Sequence, residues 1–327
     1  MNTKPEHHHP RGGFRNPPGS PRRQAGWRDM VRFLLRDMPS ARVPAIPASH
    51  MLDRLAIDEQ IRAAGNPSVT WLGHAAFIVR LGGRVVITDP FLGEVAGPHG
   101  IGPRRFVPPA LRAHELPRAD VIVISHNHYD HLDLHALAAY PWRAETQVLV
   151  PLGVSPLLKR AGFARVRELD WWEHWEDNDL VIRALPAVHF SGRGPFDRNR
   201  TLWASFSIAA GAEKVWFSGD TALGDVFAQV GEREGPFDLA LVAIGAYEPA
   251  AIMQAVHANP EEGIRIAQLV RARRAVGMHW GSIMLTPENP FEAPVRFIAE
   301  AVRSGYGEDN AWILAVGETR SLSRDPA

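Results

Sequence analysis

Three imidazoles and a carboxylate fall within six consecutive positions of Ser125-His126-Asn127-His128-Tyr129-Asp130-His131, directly after the apolar run Val121-Ile122-Val123-Ile124. A short apolar run that empties into such a segment reads as a buried strand with a metal site at its end. Alternate residues of an extended chain share a face, so His126 and His128 point the same way and can grip one ion. If the chain then turns into a helix over 133–140, Asp130 and His131 sit in its opening turn and suit a second ion. Neutral imidazole nitrogen and carboxylate oxygen are donors that zinc accepts readily, and manganese and iron fit them too. The competing reading is a polar loop of uncoordinated histidines.

The rest of the composition narrows the class. A chain of 327 residues with 45% hydrophobic content has ample material for a core. No run of 18 or more apolar residues suggests a spanning helix. The first nine residues are polar and lack the apolar stretch of a secretory signal, which gives the expectation of a cytoplasmic protein. Cysteine is absent, so disulfides and thiolate ligands are excluded, and any metal must be held by His, Asp and Glu.

A formal net charge of zero hides an uneven distribution. Lys4, Arg11, Arg15, Arg22, Arg23, Arg28, Arg32, Arg36 and Arg42 face only Glu6, Asp29 and Asp37 in the first fifty residues. Residues 1–50 therefore read as a basic arm with an amphipathic helix, and 51–327 as the catalytic domain. Up to about Arg23 the arm is rich in Pro, Gly, Arg and His and buries little; His7, His8 and His9 read as solvated residues. Trp27, Met30, Val31, Leu34, Leu35 and Met38 then share one helical face, and Pro39 ends the helix. That face either packs on the core or lies peripherally on an anionic lipid surface, on the inner face of a membrane.

Strands are expected at 69–72, 76–81, 84–88, 121–124, 147–150, 180–185, 202–209, 214–217, 239–243, 274–278 and 311–316. Helices are expected at 133–140, 155–161, 223–230, 260–273 and 294–304. Two runs of mixed strands, each followed by helices, give an α/β layered class with two sheets packed face to face and helices outside.

Three later strand ends carry further donors: His189, Asp220 and His279. The set becomes five histidines and two aspartates, enough for two ions. His126, His128 and His189 are assigned to one and Asp130, His131 and His279 to the other. Asp220 bridges, at the roughly 3.5–4 Å metal separation of two-metal hydrolases. Taken singly, His189 or His279 also reads as a hydrogen-bonded core histidine.

The His-x-His-x-Asp-His cluster with later His, Asp and His resembles the metallo-β-lactamase superfamily. Within it, Phe196-Asp197-Arg198-Asn199-Arg200-Thr201-Leu202-Trp203, Gly245-Ala246-Tyr247-Glu248-Pro249 and His257-Ala258-Asn259-Pro260-Glu261-Glu262 are similar to the N-acylphosphatidylethanolamine-hydrolysing phospholipases D. The resemblance runs from Gly13-Phe14-Arg15-Asn16-Pro17 to His279-Trp280-Gly281. It implies an αββα sandwich with two zinc ions at one edge, and a catalytic histidine at His257; a helix cap is the alternative role for that residue. Asp89, after the strand 84–88, is a candidate acceptor for a ligand imidazole N–H, or else a turn aspartate before Pro90. His74 is placed near the metals in the same supporting capacity. Tyr247 and Glu248 are candidate substrate contacts, and Trp171, Trp172 and Trp175 either hold an acyl chain or pack.

Two ions sharing a carboxylate and a water make hydroxide available near neutral pH and stabilise charge on a phosphodiester. The expected reaction is cleavage of N-acylphosphatidylethanolamine to N-acylethanolamine and phosphatidic acid, with Asp130 and His257 as catalytic residues and His257 serving the leaving alcohol. A lactonase or other hydrolase of phosphorylated small molecules on the same fold is the first alternative. A membrane-surface binding protein with a structural metal is the second. Nucleic acid is not an expected partner, because the basic excess is confined to the arm; a homodimer is left open.

Overall fold

The computed structural model describes residues 7–8, 12–38 and 41–322. Strands β1 (Ser68–Gly73), β2 (Ala76–Leu81) and β3 (Arg84–Thr88) form an antiparallel meander. Its second turn is Gly82-Gly83, with φ of 54° and 74°; a two-residue hairpin turn that matches strand twist needs positive φ at both positions, which glycine adopts freely. Strands β4 (Val121–Val123), β5 (Gln147–Pro151) and β6 (Arg165–Leu169) then add in parallel. The chain end returns as β14 (Thr319–Ser321) against β1, giving the order β14-β1-β2-β3-β4-β5-β6.

The second sheet follows the same plan. Strands β7 (His174–Asp177), β8 (Leu180–Leu185), β9 (Ser205–Ala210) and β10 (Glu213–Phe217) are antiparallel. Strands β11 (Phe237–Ala243), β12 (Ala272–Met278) and β13 (Ala311–Trp312) continue in parallel from β10. Trp71, Phe77 and Ile122 of the first sheet and Phe206, Trp216 and Phe217 of the second belong to one continuous buried cluster. Apolar runs such as Val121-Ile122-Val123 are buried throughout, as parallel strands covered on both faces must be. Outside, helix α7 (Pro260–Leu269) packs on β11 and β12 and is itself covered by α8 (Ala293–Arg303). The layered αββα class expected from the strand runs is the one observed.

Several boundaries differ from expectation. Helix α3 (Leu134–Ala138) starts later than the ligand run needs for a helical presentation. Asp133 caps it through Ala136 N at 2.9 Å, while His131 and Leu132 donate their N–H groups to His128 O in a turn. Asp130 and His131 are thus presented by that turn and not by a helix. The expected helix 260–273 stops at Leu269, and β12 begins three residues later, after Arg271 takes φ of 62°. The strand expected at 311–316 reduces to two residues. Helix α2 (Arg54–Ala63) and strands β6, β7 and β14 were not expected; β6 alternates exposed and less exposed residues along Arg165-Val166-Arg167-Glu168-Leu169, a period-2 signal of an edge strand.

The arm helix departs furthest. An α-helix, α1 (Trp27–Arg32), widens into a π-helical turn over Phe33–Asp37, which rotates the faces that follow. The buried residue is Phe33, with Met30 and Met38 beside it against Ile252 and Met253. Trp27, Val31, Leu34 and Leu35 face solvent, so the packed face is not the expected apolar stripe. Pro39, expected to end the helix, lies outside the described residues.

Gly219, in the turn after β10, has φ of 56°, and a Cβ there would lie 2.5 Å from the Ser125 Cβ. Gly219→Ala should therefore cost about 2–4 kcal/mol by combining overpacking with left-handed strain. Urea denaturation checks this; a midpoint equal to wild type would refute the close approach.

Candidate metal centre

Strands β1, β3, β4, β8, β10 and β12 end on the same edge of the sandwich, because each runs parallel to, or two antiparallel steps from, its neighbours in the set. The segments that follow them deliver His74, Asp89, His126 to His131, His189, Asp220 and His279 to one place. Three of these residues pay for their aim with left-handed backbone: His74 (φ 57°), Asp89 (φ 28°) and His279 (φ 67°). Such conformations persist only where the surroundings over-determine them.

Two donor groups result. His126, His128, His189 and Asp220 form one, and His74, Asp130, His131 and His279 the other, with ligand atoms inside each group within 4.8 Å of one another. Asp220 sits between them: Oδ2 lies 3.1 Å from His131 Nε2, 3.7 Å from His189 Nε2 and 3.9 Å from His126 Nε2, while Oδ1 lies 3.0 Å from His279 Nε2. Asp130 Oδ2 lies 3.5 Å from both His131 Nε2 and His279 Nε2, and 3.1 Å from His74 Nε2.

Ring orientations are fixed from behind. His131 Nδ1 donates to Asp89 Oδ2 at 2.6 Å, and His189 Nδ1 donates to Val256 O at 2.7 Å, so both rings turn Nε2 into the site. Asp89 also accepts from Ser125 N at 2.7 Å and Ser125 Oγ at 2.5 Å, and that hydroxyl touches His126 Nδ1 at 2.8 Å. Asp89 therefore stands behind His131 and Ser125, and His74 sits against Asp130. Ser125 is a supporting residue the sequence reading overlooked, although it immediately precedes the cluster.

These donors fit a cation better than they fit one another. With its proton committed to Val256, His189 Nε2 presents a lone pair 3.3 Å from His128 Nδ1; with its proton committed to Asp89, His131 Nε2 faces His279 Nε2 at 3.2 Å. Asp220 Oδ1 is buried and makes no well-directed hydrogen bond, its close contact being the His279 Nε2 at 3.0 Å. Burial holds His126 and His189 well below their ordinary value and His128 at about 4, leaving these rings neutral with free lone pairs. Burial opposes charge on His131 and His279 as well, but Asp220 and Asp130 outweigh it and raise the first well above its usual range and the second to about 9. A buried carboxylate pair thus demands positive charge, which divalent ions supply more fully than two imidazoliums.

A cavity of about 380 Å³ opens in front of the ligands, reaching His128, Asp130, Asp220 and His257. Its apolar wall includes Phe33, Phe190, Ile252, Met253 and Leu285, and its polar rim includes Arg23 and Arg198. The Arg198 guanidinium lies over the Phe190 ring at 4.3 Å, and burial followed by the charge of Arg23 lowers its pKa. Arg23 and Phe33 on the arm, and Phe190 and Arg198 in the segment between β8 and β9, escaped the sequence reading, since neither spacing nor residue type says that these two segments meet at this cavity. The arm is tied there: Gln24 N and Ala25 N donate to Ala251 O, at 3.2 and 3.0 Å, and His189 N donates to Asn16 Oδ1 at 2.9 Å.

Three expectations change. Tyr247 and Glu248 are not among the lining residues: Tyr247 is buried beneath the Arg296 guanidinium at 4.7 Å, and Glu248 Oε2 accepts from Ala250 N at 3.1 Å, because the turn after β11 points Ala246 rather than its neighbours into the cavity. His257 reaches the site, with Nδ1 4.0 Å from Asp220 Oδ2, but burial lowers it to about 4, so at neutral pH it is a neutral ring and not a store of acid. His7 and His8 are not solvated: both are held on Asp170. His9 lies outside the described residues. Trp171 donates Nε1–H to Trp203 O at 2.7 Å and Trp172 lies under the Arg233 guanidinium at 3.7 Å, both in packing roles.

Comparison with known proteins agrees with this architecture. Residues 84–280 match the model of the β-lactamase superfamily domain. The chain is 40% identical over 225 residues to N-acyl-phosphatidylethanolamine-hydrolyzing phospholipase D 1 of Caenorhabditis elegans, covering 65% of this chain and 63% of that protein. It is 32% identical over 297 residues to the mitochondrial N-acyl-phosphatidylethanolamine-hydrolyzing phospholipase D of Saccharomyces cerevisiae, covering 87% and 63%. The chain thus spans somewhat under two thirds of the length of these relatives. Among solved structures, an isothiocyanate hydrolase from Delia radicum gut bacteria superposes with a TM-score of 0.61 at 19% identity, covering 78% of this chain and 98% of that one. The chain belongs to the β-lactamase superfamily and carries its metallo-hydrolase fold.

Proposed function

We propose that the protein is a dinuclear metal-dependent phosphodiesterase that cleaves N-acylphosphatidylethanolamine to N-acylethanolamine and phosphatidic acid. The observation that carries this reading is the cavity, in which two His/Asp donor groups meet two arginines and an apolar wall. A phosphodiester flanked by acyl chains matches that combination. The phospholipase D relatives support the same substrate class.

His126, His128 and His189 would hold one ion, Asp130, His131 and His279 the other, with Asp220 between them; zinc suits the donors, and manganese or iron shares them. Two such ions supply a water of lowered pKa and polarise phosphoryl oxygens. The chain's own residues do the rest. Asp89 and the Val256 carbonyl fix the tautomers of His131 and His189. Arg23 and Arg198 attract the phosphate and orient it at the cavity rim. Phe33, Ile252 and Met253 exclude water from the acyl side. His257, a neutral ring, would donate its N–H to the departing oxygen as a hydrogen bond, and that oxygen would leave as the alcohol with the proton given up by the attacking water.

Peripheral contact with the bilayer belongs to the same reading. Trp27 (71% exposed), Leu34 (57%) and Leu35 (75%) stand free beside Arg28, Arg32 and Arg36, an apolar and basic pairing suited to anionic lipid. Among the described residues no helix is long and apolar enough to cross a membrane.

Purified, zinc-loaded Asp220→Ala should contain about two fewer ions per chain than wild type by elemental analysis and lose activity with them; full activity in that variant would remove the two-ion reading. On a panel of N-acylated and ordinary glycerophospholipids, a sugar-phosphate lactone and RNA, turnover should concentrate on the N-acylated lipid. In oxygen-18 water the label should enter phosphatidic acid, and His257→Ala should slow turnover by about 10²–10⁴-fold, less on a nitrophenyl phosphodiester; preference for the lactone, or label in the alcohol, would overturn the assignment. Replacing Trp27, Leu34 and Leu35 with serine should weaken binding to phosphatidylserine-containing vesicles with the fold intact by circular dichroism, and unchanged binding would leave the exposed face without this role.

A further inference from the structure

His7 and His8 belong to the arm, whereas Asp170 lies 162 residues further on, between β6 and β7. The three nevertheless converge: His7 Nε2 lies 2.5 Å from Asp170 Oδ1, and His8 Nε2 lies 2.8 Å from Asp170 Oδ2. Their donor atoms all fall within 4.8 Å of one another, the same compactness shown by the two groups around Asp220. None of the three is shared with those groups.

The surroundings hold the donors in place. The His7 ring stacks on Trp171 with centroids 4.3 Å apart and planes 26° apart, and His8 meets it edge-on at 85°. The His8 ring also meets Phe14 edge-on, at 5.2 Å. Arg15 N donates to His7 O at 3.0 Å, His8 pairs with Phe14 in an antiparallel bridge, and Phe14 N donates to Asn199 O at 2.9 Å. The side chains of His7, His8 and Asp170 are only 12%, 21% and 14% exposed, so two imidazoles and a carboxylate have surrendered most of their water to this cluster.

We propose that His7, His8 and Asp170 form a third metal site, mononuclear and separate from the two-ion centre, which takes one divalent transition ion of the zinc class and fastens the arm to the core. Two imidazole nitrogens and a carboxylate oxygen are a donor set that zinc accepts with a fourth position left to water. In a tetrahedral site with metal–ligand bonds of about 2.0–2.2 Å the donors stand about 3.3–3.6 Å apart, so seating the ion asks the His7 and His8 nitrogens to draw back from the Asp170 oxygens by roughly 0.5–1 Å. The site opens on a recess of about 260 Å³ bounded by Pro17, Trp172 and Val226, which gives the ion and its water a path. The clamp has a consequence for the cavity of the metal centre. The arm it fastens supplies Asn16 to the backbone of His189 and Arg23 to the cavity rim.

The full-length chain, loaded with zinc and desalted, tests this by elemental analysis. The double variant His7→Ala/His8→Ala and the single variant Asp170→Asn should each lose one ion relative to wild type, whereas Asp220→Ala should retain that ion. In the presence of zinc, trypsin should cut at the exposed Arg22 and Arg23 faster in the double variant than in wild type. An unchanged zinc content in the double variant would overturn the proposal and leave His–Asp hydrogen bonds alone. Because the readout is the difference between wild type and arm variant, it stands even if the two-ion centre proves to hold a different number of metals.

Discussion

Asp89 is the interaction on which the metal centre depends. Fully buried at the end of β3, it accepts from the Ser125 backbone, the Ser125 hydroxyl and His131 Nδ1. One carboxylate thereby orients a histidine of each donor group: His131 directly, His126 through Ser125. The space for this network exists because Gly219 lets the turn after β10 approach Ser125 more closely than any side chain would permit. The edges of the two sheets meet at these contacts, and the left-handed backbone at His74, Asp89 and His279 is the local strain that the sandwich core sustains.

The charge balance follows from that geometry. Asp130 and Asp220 are held well below their ordinary range by His131 and the hydrogen bonds around it, against the opposing effect of burial. His126 and His189, which stand farther from Asp220 Oδ2, at 3.9 and 3.7 Å against 3.1 Å for His131, are pushed the other way by desolvation. A buried set of this kind is poorly satisfied by its own hydrogen bonds, and its unpaired lone pairs are the chemical reason it suits cations.

The arm joins what the two sheets leave open. Its backbone holds Ala251 and its Asn16 side chain holds His189, while Phe33 closes the apolar side of the cavity against Ile252. The exposed apolar residues Trp27, Leu34 and Leu35 therefore share one segment with Met30 and Phe33, which line the cavity.

The ligand run after β4 was legible because strand-end position and alternation are properties of a few consecutive residues, and the later donors could be found by asking which other apolar runs end in His or Asp. The layered class was legible for the same reason. Packing was not. Whether Asp130 is presented by a helix or by a turn depends on Asp133 capping α3, and whether Trp27 or Phe33 is buried depends on which face docks against Ile252 and Met253. Tyr247 and Glu248 miss the cavity by one residue of turn geometry, and Arg23 meets Arg198 there only because the arm folds back across the sandwich. The sequence by itself determined donor chemistry and strand order of appearance, since both are local. Only the tertiary structure decided which side chains share the cavity, and it alone brought His7 and His8 to Asp170, because contacts across so many residues are set by global packing and not by local pattern.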